Sequence, residues 1–297
     1  MRVLCLGETL VDLICHRPVQ RLADADAFVP HFGGSPANVA VIAARHGAQV
    51  ELASGAGDDD WGAWLRERLA GEGVGLEWFE LVEGATTTVT FVTVDADGQP
   101  TYRFYGDSIA RAIGAVAPRL GAAAQACGAL VFSSNTLLDE REREATMDVR
   151  AQMLEHGRPI VFDPNLRMER WDNPGRAVTL ARGCLPGLFL LKCNRDEARA
   201  LSGETDPEAA AQGLLAGGVR NVVITLGDEG AIARGEVRAT VPGVRASVVD
   251  ATGAGDTLTG VLVAHLARTD FYPAAIAVGL REAVAEAART VGRWGAT

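Results

Sequence analysis

The sequence predicts an α/β fold in which a mostly parallel central sheet is flanked by helices and a small β-sheet lies apart from it. Two observations support this class. Short β-rich runs alternate with longer runs rich in Ala, Leu and Arg, as expected when helices connect the strands of a parallel sheet. Residues 86–105 break the alternation and have the period-two pattern of a hairpin.

The central strands are predicted from short apolar runs, which are typical of strands buried on both faces of a sheet. We expect them at residues 3–6, 129–132, 160–162, 189–191 and 222–225. Helices are predicted from longer runs bounded by proline or acidic residues at the start and often by glycine at the end. We expect them at residues 36–46, 61–69, 140–155, 175–183, 255–267 and 273–291.

The small sheet is predicted from residues 86–94 and 101–105, which flank a turn with the sequence Asp-Ala-Asp-Gly at 95–98. An Asp-Gly pair between two β-rich runs is a strong hairpin signal. With residues 10–14, these segments would form a lid over the ends of the central strands, spanning about 10–16 and 86–106. Because no repeat or linker interrupts the chain, we expect residues 1–297 to form a single domain with this lid.

The composition excludes several classes of protein. The chain has 38 Asp and Glu against 28 Lys and Arg, and its formal net charge of −10 would repel nucleic acid. It has no run of about 18 apolar residues, so no transmembrane helix is expected. The five cysteines are scattered and lack CxxC spacing, which favours reduced thiols. We therefore expect a cytoplasmic protein with no membrane or nucleic-acid partner.

The segment DATGAGDT at residues 250–257 is the strongest chemical signal. Its small residues let the backbone amides of Gly253, Ala254 and Gly255 converge at the start of a helix, where the helix dipole favours an anion such as phosphate. Asp256 would lie beside this anion hole and could accept the proton of a substrate hydroxyl. The alternative is a glycine-rich turn whose aspartate caps the helix.

A second segment, FGGSPANVA at residues 32–40, places two glycines directly before a helix. Gly33 and Gly34 permit a close approach of the backbone to a ligand, and Asn38 in the first helical turns could contact a polar group of that ligand. The alternative is a simple turn in which Asn38 packs on a neighbouring loop.

In their order along the chain, residues 32–40 and then residues 250–257, the two segments resemble the two signatures of the ribokinase-like (PfkB) carbohydrate kinase family. Other motifs of the family follow along the chain, namely a Gly-Glu pair with Asp12 near the start, DPNLR at 163–167, KCNRDE at 192–197 and TLGDEGA at 225–231. The similarity covers nearly the whole chain. It implies a three-layer ribokinase-like fold and the ATP-dependent phosphorylation of a primary hydroxyl of a small sugar.

The resemblance also implies roles for residues on the nucleotide side. Asp256 would be the catalytic base, and the anion hole would be formed by Gly253, Ala254 and Gly255. The positions that match residues near the ATP phosphates are Asn194, Thr225, Gly227 and Gly230. Glu197 would help to organise Mg²⁺ through water, which suits an ion that keeps several waters. Asp250 and Thr252 match positions where some members of the family hold a monovalent cation such as K⁺.

On the sugar side, the positions that match the family are Asp12, Gly33, Gly34 and Asn38, and Arg167 of the DPNLR motif is a further candidate. The FDPNLR motif with Trp171 resembles the branch of fructokinases and 2-keto-3-deoxygluconate kinases. Because Asp107 would repel the carboxylate of a keto-deoxy acid, the sequence favours fructose. A 2-keto-3-deoxygluconate kinase, a nucleoside kinase and a non-catalytic sugar sensor remain as alternatives.

The expected partners are therefore a small sugar and ATP. The family often dimerises by packing lid sheets face to face, and the apolar alternation in residues 86–94 would permit such a homodimer.

Overall fold

The computed structural model describes the backbone of residues 1–297 and every side chain except that of Ala110. The described chain forms two sheets. The large sheet contains β1 (Arg2–Leu6), β4 (Gln49–Gly57), β5 (Phe79–Val82), β8 (Ala129–Phe132), β9 (Ile160–Phe162), β10 (Leu190–Asn194), β11 (Asn221–Thr225), β12 (Gly230–Gly235) and β13 (Ala239–Pro242). The small sheet contains β2 (Leu10–Ile14), β3 (Val29–Gly33), β6 (Val89–Val94) and β7 (Pro100–Tyr105).

The helices follow local capping signals in the sequence. Asp59, for example, accepts a hydrogen bond from the backbone N of Gly62 at the start of α2 (Asp60–Gly71), and Asp139 accepts from the backbone N of Arg141 at the start of α4 (Glu140–Glu155). The helices are α1 (Ser35–Arg45), α2 (Asp60–Gly71), α3 (Ile109–Ala126), α4 (Glu140–Glu155), α5 (Pro174–Gly183), α6 (Arg195–Ser202), α7 (Pro207–Ala216), α8 (Ala254–Arg268) and α9 (Ala274–Thr290). Among the described residues, none of these helices has the length and apolar character needed to cross a membrane.

The large sheet is mostly parallel, which confirms the predicted fold class. Its strand order is β13-β12-β11-β10-β9-β8-β1-β4-β5. The strands from β11 to β5 are parallel, while β12 and β13 run antiparallel to their neighbours. Because the chain proceeds from β1 to β4 on one side and returns to β8 on the other, the order reverses between β1 and β8. In open α/β sheets, ligands bind beyond the carboxyl ends of the strands at such a point.

Helices cover both faces of the large sheet, which gives three layers. Val3 and Cys5 of β1 belong to the core shared with α1, α2, α8 and α9, whereas Leu4 and Leu6 belong to the core shared with α3 to α7. This alternation is the period of two expected of a strand buried on both sides. The apolar runs that predicted the strands therefore fill two cores at once.

The small sheet has the order β3-β2-β6-β7, and one of its strands is absent from the sequence prediction. β3 contains Pro30, which argues against a central strand, and the structure places it at the edge of this sheet. The predicted strand at 86–94 begins only at Val89. The reason is that the backbone amides of Thr87 and Thr88 are used by the side chains of Asp59 and Ser108 and cannot join the sheet at that point.

A close contact between α1 and α8 fixes the positions of the two segments singled out in the sequence. A Cβ atom added at Gly260 of α8 would lie 2.7 Å from Cβ of Ile42 and 3.1 Å from the carbonyl oxygen of Val39, both on α1. By contrast, a Cβ atom at Gly114, an exposed position within α3, would have no neighbour within 4 Å. The two glycines therefore provide a matched pair for testing this contact.

We expect Gly260→Ala to lower the free energy of unfolding by about 1–3 kcal/mol, because the added methyl group must push α1 away from α8. We expect Gly114→Ala to raise it by about 0.5–1 kcal/mol, because alanine is the better helix former. Urea unfolding followed by circular dichroism measures both changes. Equal stability of the two variants would contradict the importance of the α1–α8 contact.

Candidate active site

Two adjacent pockets open at the edge of the large sheet where its parallel strands end. The small pocket lies beneath the small sheet, and its lining includes Tyr102 and Phe104 of β7. The large cleft, of about 440 Å³, extends from there past the ends of β10 and β11. The linings of the two pockets have in common Tyr102, Asn165, Arg167, Gly253 and Asp256. The predicted catalytic base therefore lies where the pockets meet.

Asp256 lies in the first turn of α8 and is held by the first turn of α1. Its Oδ1 accepts a hydrogen bond of 2.6 Å from the hydroxyl of Ser35, and its Oδ2 accepts one of 2.9 Å from Nδ2 of Asn38. Burial raises the pKa of Asp256 above its usual value, and these two hydrogen bonds oppose the rise. The carboxylate is thus oriented by two donors and keeps further lone pairs for a substrate.

Most of the residues predicted for sugar binding line the small pocket. These are Asp12, Gly34, Asn38 and Arg167. Gly33 does not line it: a Cβ atom at Gly33 would lie 2.7 Å from Oδ2 of Asp12, so this glycine makes room for the aspartate. Burial and the charges of Asp256 and Asp250 raise the pKa of Asp12 well above its usual value, although the charge of Arg167 opposes them.

The loop before α8 adopts a conformation that requires glycine. Gly253 has φ of 75°, and a Cβ atom at this position would collide with Ala296 near the end of the chain. The buried carboxylate of Asp250 supports the same loop, since it accepts hydrogen bonds from the backbone N of Thr252 (2.8 Å) and of Gly295 (2.9 Å). Gly295 and Ala296 therefore support the loop of the predicted anion hole.

On the nucleotide side, Asn194 and Glu197 form a capping box at the start of α6. Asn194 Oδ1 accepts from the backbone N of Glu197 (2.8 Å), and Glu197 Oε2 accepts from the backbone N of Asn194 (2.9 Å). The second oxygen of Glu197 accepts from the backbone N of Leu166 (2.8 Å). Asn194, Glu197 and Thr225 all line the large cleft. Their side chains lie together as the sequence predicts, with both oxygens of the glutamate already bonded to amides.

Gly227 and Gly230 are not in the lining of either pocket. Gly227 lies in the turn between β11 and β12, and Gly230 is the first residue of β12; their φ angles are 66° and 101° respectively. A Cβ atom at Gly230 would collide with the carbonyl oxygen of Val241 on β13. The structure thus gives Gly230 a role in the antiparallel edge of the sheet.

The sequence reasoning gave no role to Lys192, although it is the only lysine in the chain. Its buried ammonium group donates a 3.0 Å hydrogen bond to Oδ2 of Asp163, which also accepts from the hydroxyl of Thr259 (2.7 Å). A Cβ atom at Gly255 would lie 2.8 Å from Lys192 Nζ, so the ammonium group lies directly against the loop of the predicted anion hole. Burial would lower the pKa of Lys192, but the charges of Asp163 and Glu197 outweigh it and raise the pKa.

Glu8, Ser35, Asn135 and Arg170 also line the small pocket, and the sequence reasoning missed all four. Glu8 follows β1 and Asn135 follows β8, so both lie at the point where the strand order reverses. A polar residue directly after a buried strand is a signal that could have identified Glu8. Asn135 also follows a buried strand, but neither it nor Arg170 could be assigned to this pocket from the sequence, because their proximity depends on how the strands are ordered.

The expectation that Asp107 repels an acidic substrate is wrong. Its exposed side chain accepts hydrogen bonds from the backbone N of Thr86 (2.7 Å) and from Arg111 (3.2 Å). Asp107 is also absent from the lining of the small pocket. It closes the end of the small sheet, so it carries no information about the charge of the substrate.

The small sheet contacts both the pocket and the loop of the anion hole. The carbonyl oxygen of Gly98, in the β6–β7 turn, accepts a hydrogen bond of 2.9 Å from the backbone N of Ala251. On the underside of the sheet, the rings of Tyr102 and Phe104 lie 5.3 Å from the guanidinium carbons of Arg167 and Arg170 respectively. The sheet therefore covers the pocket in the described conformation.

The chain matches known sugar kinases over nearly its whole length. It is 29% identical to a fructokinase-2 of Solanum lycopersicum over 266 residues, which cover 89% of this chain and 81% of the relative. It is 30% identical to an aminoimidazole riboside kinase of Salmonella typhimurium over 289 residues, which cover 96% and 86%. Among solved structures, a fructokinase double mutant of Vibrio cholerae O395 with bound fructose, ADP and potassium ion aligns with a TM-score of 0.84 and 25% identity, covering 99% of this chain and 93% of that chain.

The family model described as pfkB family carbohydrate kinase matches residues 1–296. This match includes both segments that form the pockets and the motifs between them. The fold, with its large mostly parallel sheet and its small separate sheet, agrees with that of the solved relatives. The chain belongs to the pfkB family of carbohydrate kinases and is an ATP-dependent sugar kinase.

Proposed function

We propose that this kinase transfers the γ-phosphate of ATP to a primary hydroxyl of fructose. The observation that carries the proposal is the position of Asp256 at the meeting point of the small pocket and the large cleft. A phosphotransferase needs its base at the boundary between the acceptor and the nucleotide. Fructose is chosen because the curated relatives include fructokinases and because a fructokinase with bound fructose has the same fold.

In this proposal, the sugar lies in the small pocket and ATP lies in the large cleft. Asp256 accepts the proton of the attacking hydroxyl while that oxygen approaches the γ-phosphorus. The charge on the transferred group develops beside the backbone amides of residues 253–255 and the ammonium group of Lys192. Tyr102 and Phe104 of the small sheet, which serves as a lid, exclude water from the pocket.

The carboxylate of Glu197 in the large cleft is suited to a magnesium ion that keeps most of its waters. Both oxygens of Glu197 accept backbone amides, so the glutamate is suited to hold the ion through water rather than directly. The described residues contain no cluster of three or more acidic, His or Cys side chains that would form a closed metal site. When bound with the phosphates, Mg²⁺ would neutralise part of their charge.

A monovalent cation at Asp250 and Thr252 stays a prediction. The backbone amides of Thr252 and Gly295 already contact the Asp250 carboxylate. A homodimer through the lid is also still a prediction; Tyr105 on β7 is 56% exposed, and its ring would supply apolar surface to it.

We expect Asp256→Asn to lower kcat for fructose by about 10²–10⁴-fold, because the base is removed while the new carboxamide can still accept from Nδ2 of Asn38 and donate to the hydroxyl of Ser35. ATP consumption on fructose, 2-keto-3-deoxygluconate, ribose, adenosine and aminoimidazole riboside measures the activity, and calorimetry measures sugar binding. Asp172→Asn, at an exposed position, is the matched control. Near-normal turnover in Asp256→Asn, or the absence of fructose phosphorylation by the wild type, would contradict the proposal.

The acidic limb of the pH profile provides an independent test of the base. Asp256 must be deprotonated to act, so kcat/KM falls as the pH drops through its pKa, which burial has raised. Ser35→Ala removes a hydrogen bond that stabilises the carboxylate, so the pKa rises further and the limb moves to higher pH by about one pH unit. If the limb stays at its wild-type position, Asp256 is not the group that titrates.

We expect Lys192→Met to lower kcat/KM for ATP by about 10²-fold, because the anion hole loses its adjacent positive charge. The single change leaves the buried Asp163 without its cation and will also lower the thermal stability. The double variant Lys192→Met with Asp163→Asn removes both charges and should recover stability without recovering turnover. Recovery of both properties would show that Lys192 has only a structural role.

A further inference from the structure

The part of the small pocket away from the large cleft has its own set of polar groups. Glu8, Asn135 and Arg170 line the small pocket, and none of them lines the cleft. Ser35 connects this set to the base, because its backbone N donates to Oε1 of Glu8 (3.2 Å) while its hydroxyl donates to Asp256. A sugar whose reacting hydroxyl is at Asp256 would therefore present its other hydroxyls to these groups.

Asn135 has a buried acceptor with no partner. Its Nδ2 donates a 2.8 Å hydrogen bond to Oε1 of Glu8, and this contact directs the amide oxygen away from the glutamate. Asn135 is 5% exposed, and its Oδ1 has no hydrogen-bond partner within the described chain. A buried acceptor of this kind costs free energy until a ligand supplies a donor.

Arg170 supplies the complementary group. Its guanidinium lies over the ring of Phe104, at 5.3 Å from the centroid, and it makes no side-chain hydrogen bond or ion pair to the residues that the structure describes. Many other arginines of the chain, such as Arg45 and Arg234, are paired with carboxylates. The donors of Arg170 are thus available to a ligand that enters the small pocket.

Sugar hydroxyl groups match both residues, since a hydroxyl can accept a hydrogen bond from the guanidinium and can donate one to the amide oxygen. A carboxylate could accept from Arg170, but it has no proton to donate to Oδ1 of Asn135. Glu8 lies close to the same place; burial raises the pKa of its carboxyl group and the charge of Arg170 opposes the rise, and in its ionised form Glu8 would oppose a second carboxylate. Three carboxyl groups (Glu8, Asp12 and Asp256) line the small pocket against two guanidinium groups (Arg167 and Arg170), so its polar groups favour an uncharged, hydroxyl-bearing part of the substrate.

We propose that Asn135 and Arg170 form a hydroxyl-recognising subsite that makes the kinase selective for neutral sugars over sugar acids. The proposal rests on the proposed function only in taking the small pocket as the sugar site. It concerns the part of the sugar that does not receive the phosphate. It gives specificity to two residues that no sequence motif singled out.

The test compares Asn135→Ala and Arg170→Leu with the control Arg176→Leu, which removes an exposed arginine. Calorimetry without nucleotide measures the binding of fructose, of its singly deoxygenated analogues and of 2-keto-3-deoxygluconate. We expect each pocket variant to weaken fructose binding by about 10-fold, with KM for ATP unchanged. One deoxy analogue, which lacks the recognised hydroxyl, should bind the wild type about 10-fold more weakly than fructose does. The two pocket variants should bind this analogue with nearly the same affinity as the wild type does.

Three results would overturn the subsite. The first is unchanged sugar affinity in Arg170→Leu. Arg170 is partly exposed and its side chain makes no hydrogen bond within the described chain, so this variant should fold even if Asn135→Ala does not. The second is tighter binding of 2-keto-3-deoxygluconate than of any neutral sugar, lost only in Arg170→Leu. The third is a wild type that binds none of the neutral substrates fructose, ribose, adenosine and aminoimidazole riboside.

The same measurements distinguish failure of the fructokinase proposal from failure of the subsite. If fructose binds as expected but no phosphate is transferred, the fructokinase proposal fails and the subsite stands. If another neutral sugar replaces fructose and the same two variants weaken its binding, the choice of fructose fails and the subsite is again supported.

Discussion

The two hydrogen bonds that Ser35 and Asn38 donate to Asp256 connect helix starts more than 200 residues apart, at a sequence separation of 221 for the serine. Each of the two segments alone would be only a glycine-containing turn before a helix. Their contact creates an oriented carboxylate, and it depends on the close approach of α1 and α8 at Gly260. The pockets on either side of Asp256 therefore depend on how these two helices pack on the same face of the large sheet.

The charges in the site follow from its surroundings. A chain with a net charge of −10 must still attract a nucleotide, and its fixed cations near the site are Lys192, Arg167 and Arg170. Lys192 is paired with Asp163, which lowers the cost of burying its charge. The two arginines lie against aromatic rings of the small sheet, where apolar contact holds the guanidinium and leaves its donors available.

Local patterns were sufficient for the elements whose signals are local. The strands at 129–132 and 160–162 and the helix at 140–155 have the bounds that their apolar runs and capping residues predict. β4 contains several glycines and small residues, and β3 contains a proline, so neither has a strand pattern of its own. The family motifs predicted Asp256, Asn38 and Glu197 as site residues, and all three line the pockets. They could not identify Asn135 or Arg170, because the ordering of β1 beside β8 brings these residues to one pocket.

The hydrogen bond between Gly98 of the β6–β7 turn and Ala251 has a thermodynamic consequence. A sugar bound in the small pocket as proposed would contact Tyr102 and Phe104 and hold the small sheet in place, and through this bond the sheet would also hold the loop of the predicted anion hole. The order that the sugar imposes on this loop would then lower the entropic cost of binding the nucleotide in the large cleft. By linkage, the nucleotide must strengthen sugar binding by the same factor by which the sugar strengthens nucleotide binding. Under the proposed function, we therefore expect the two substrates to act as positive heterotropic effectors of each other.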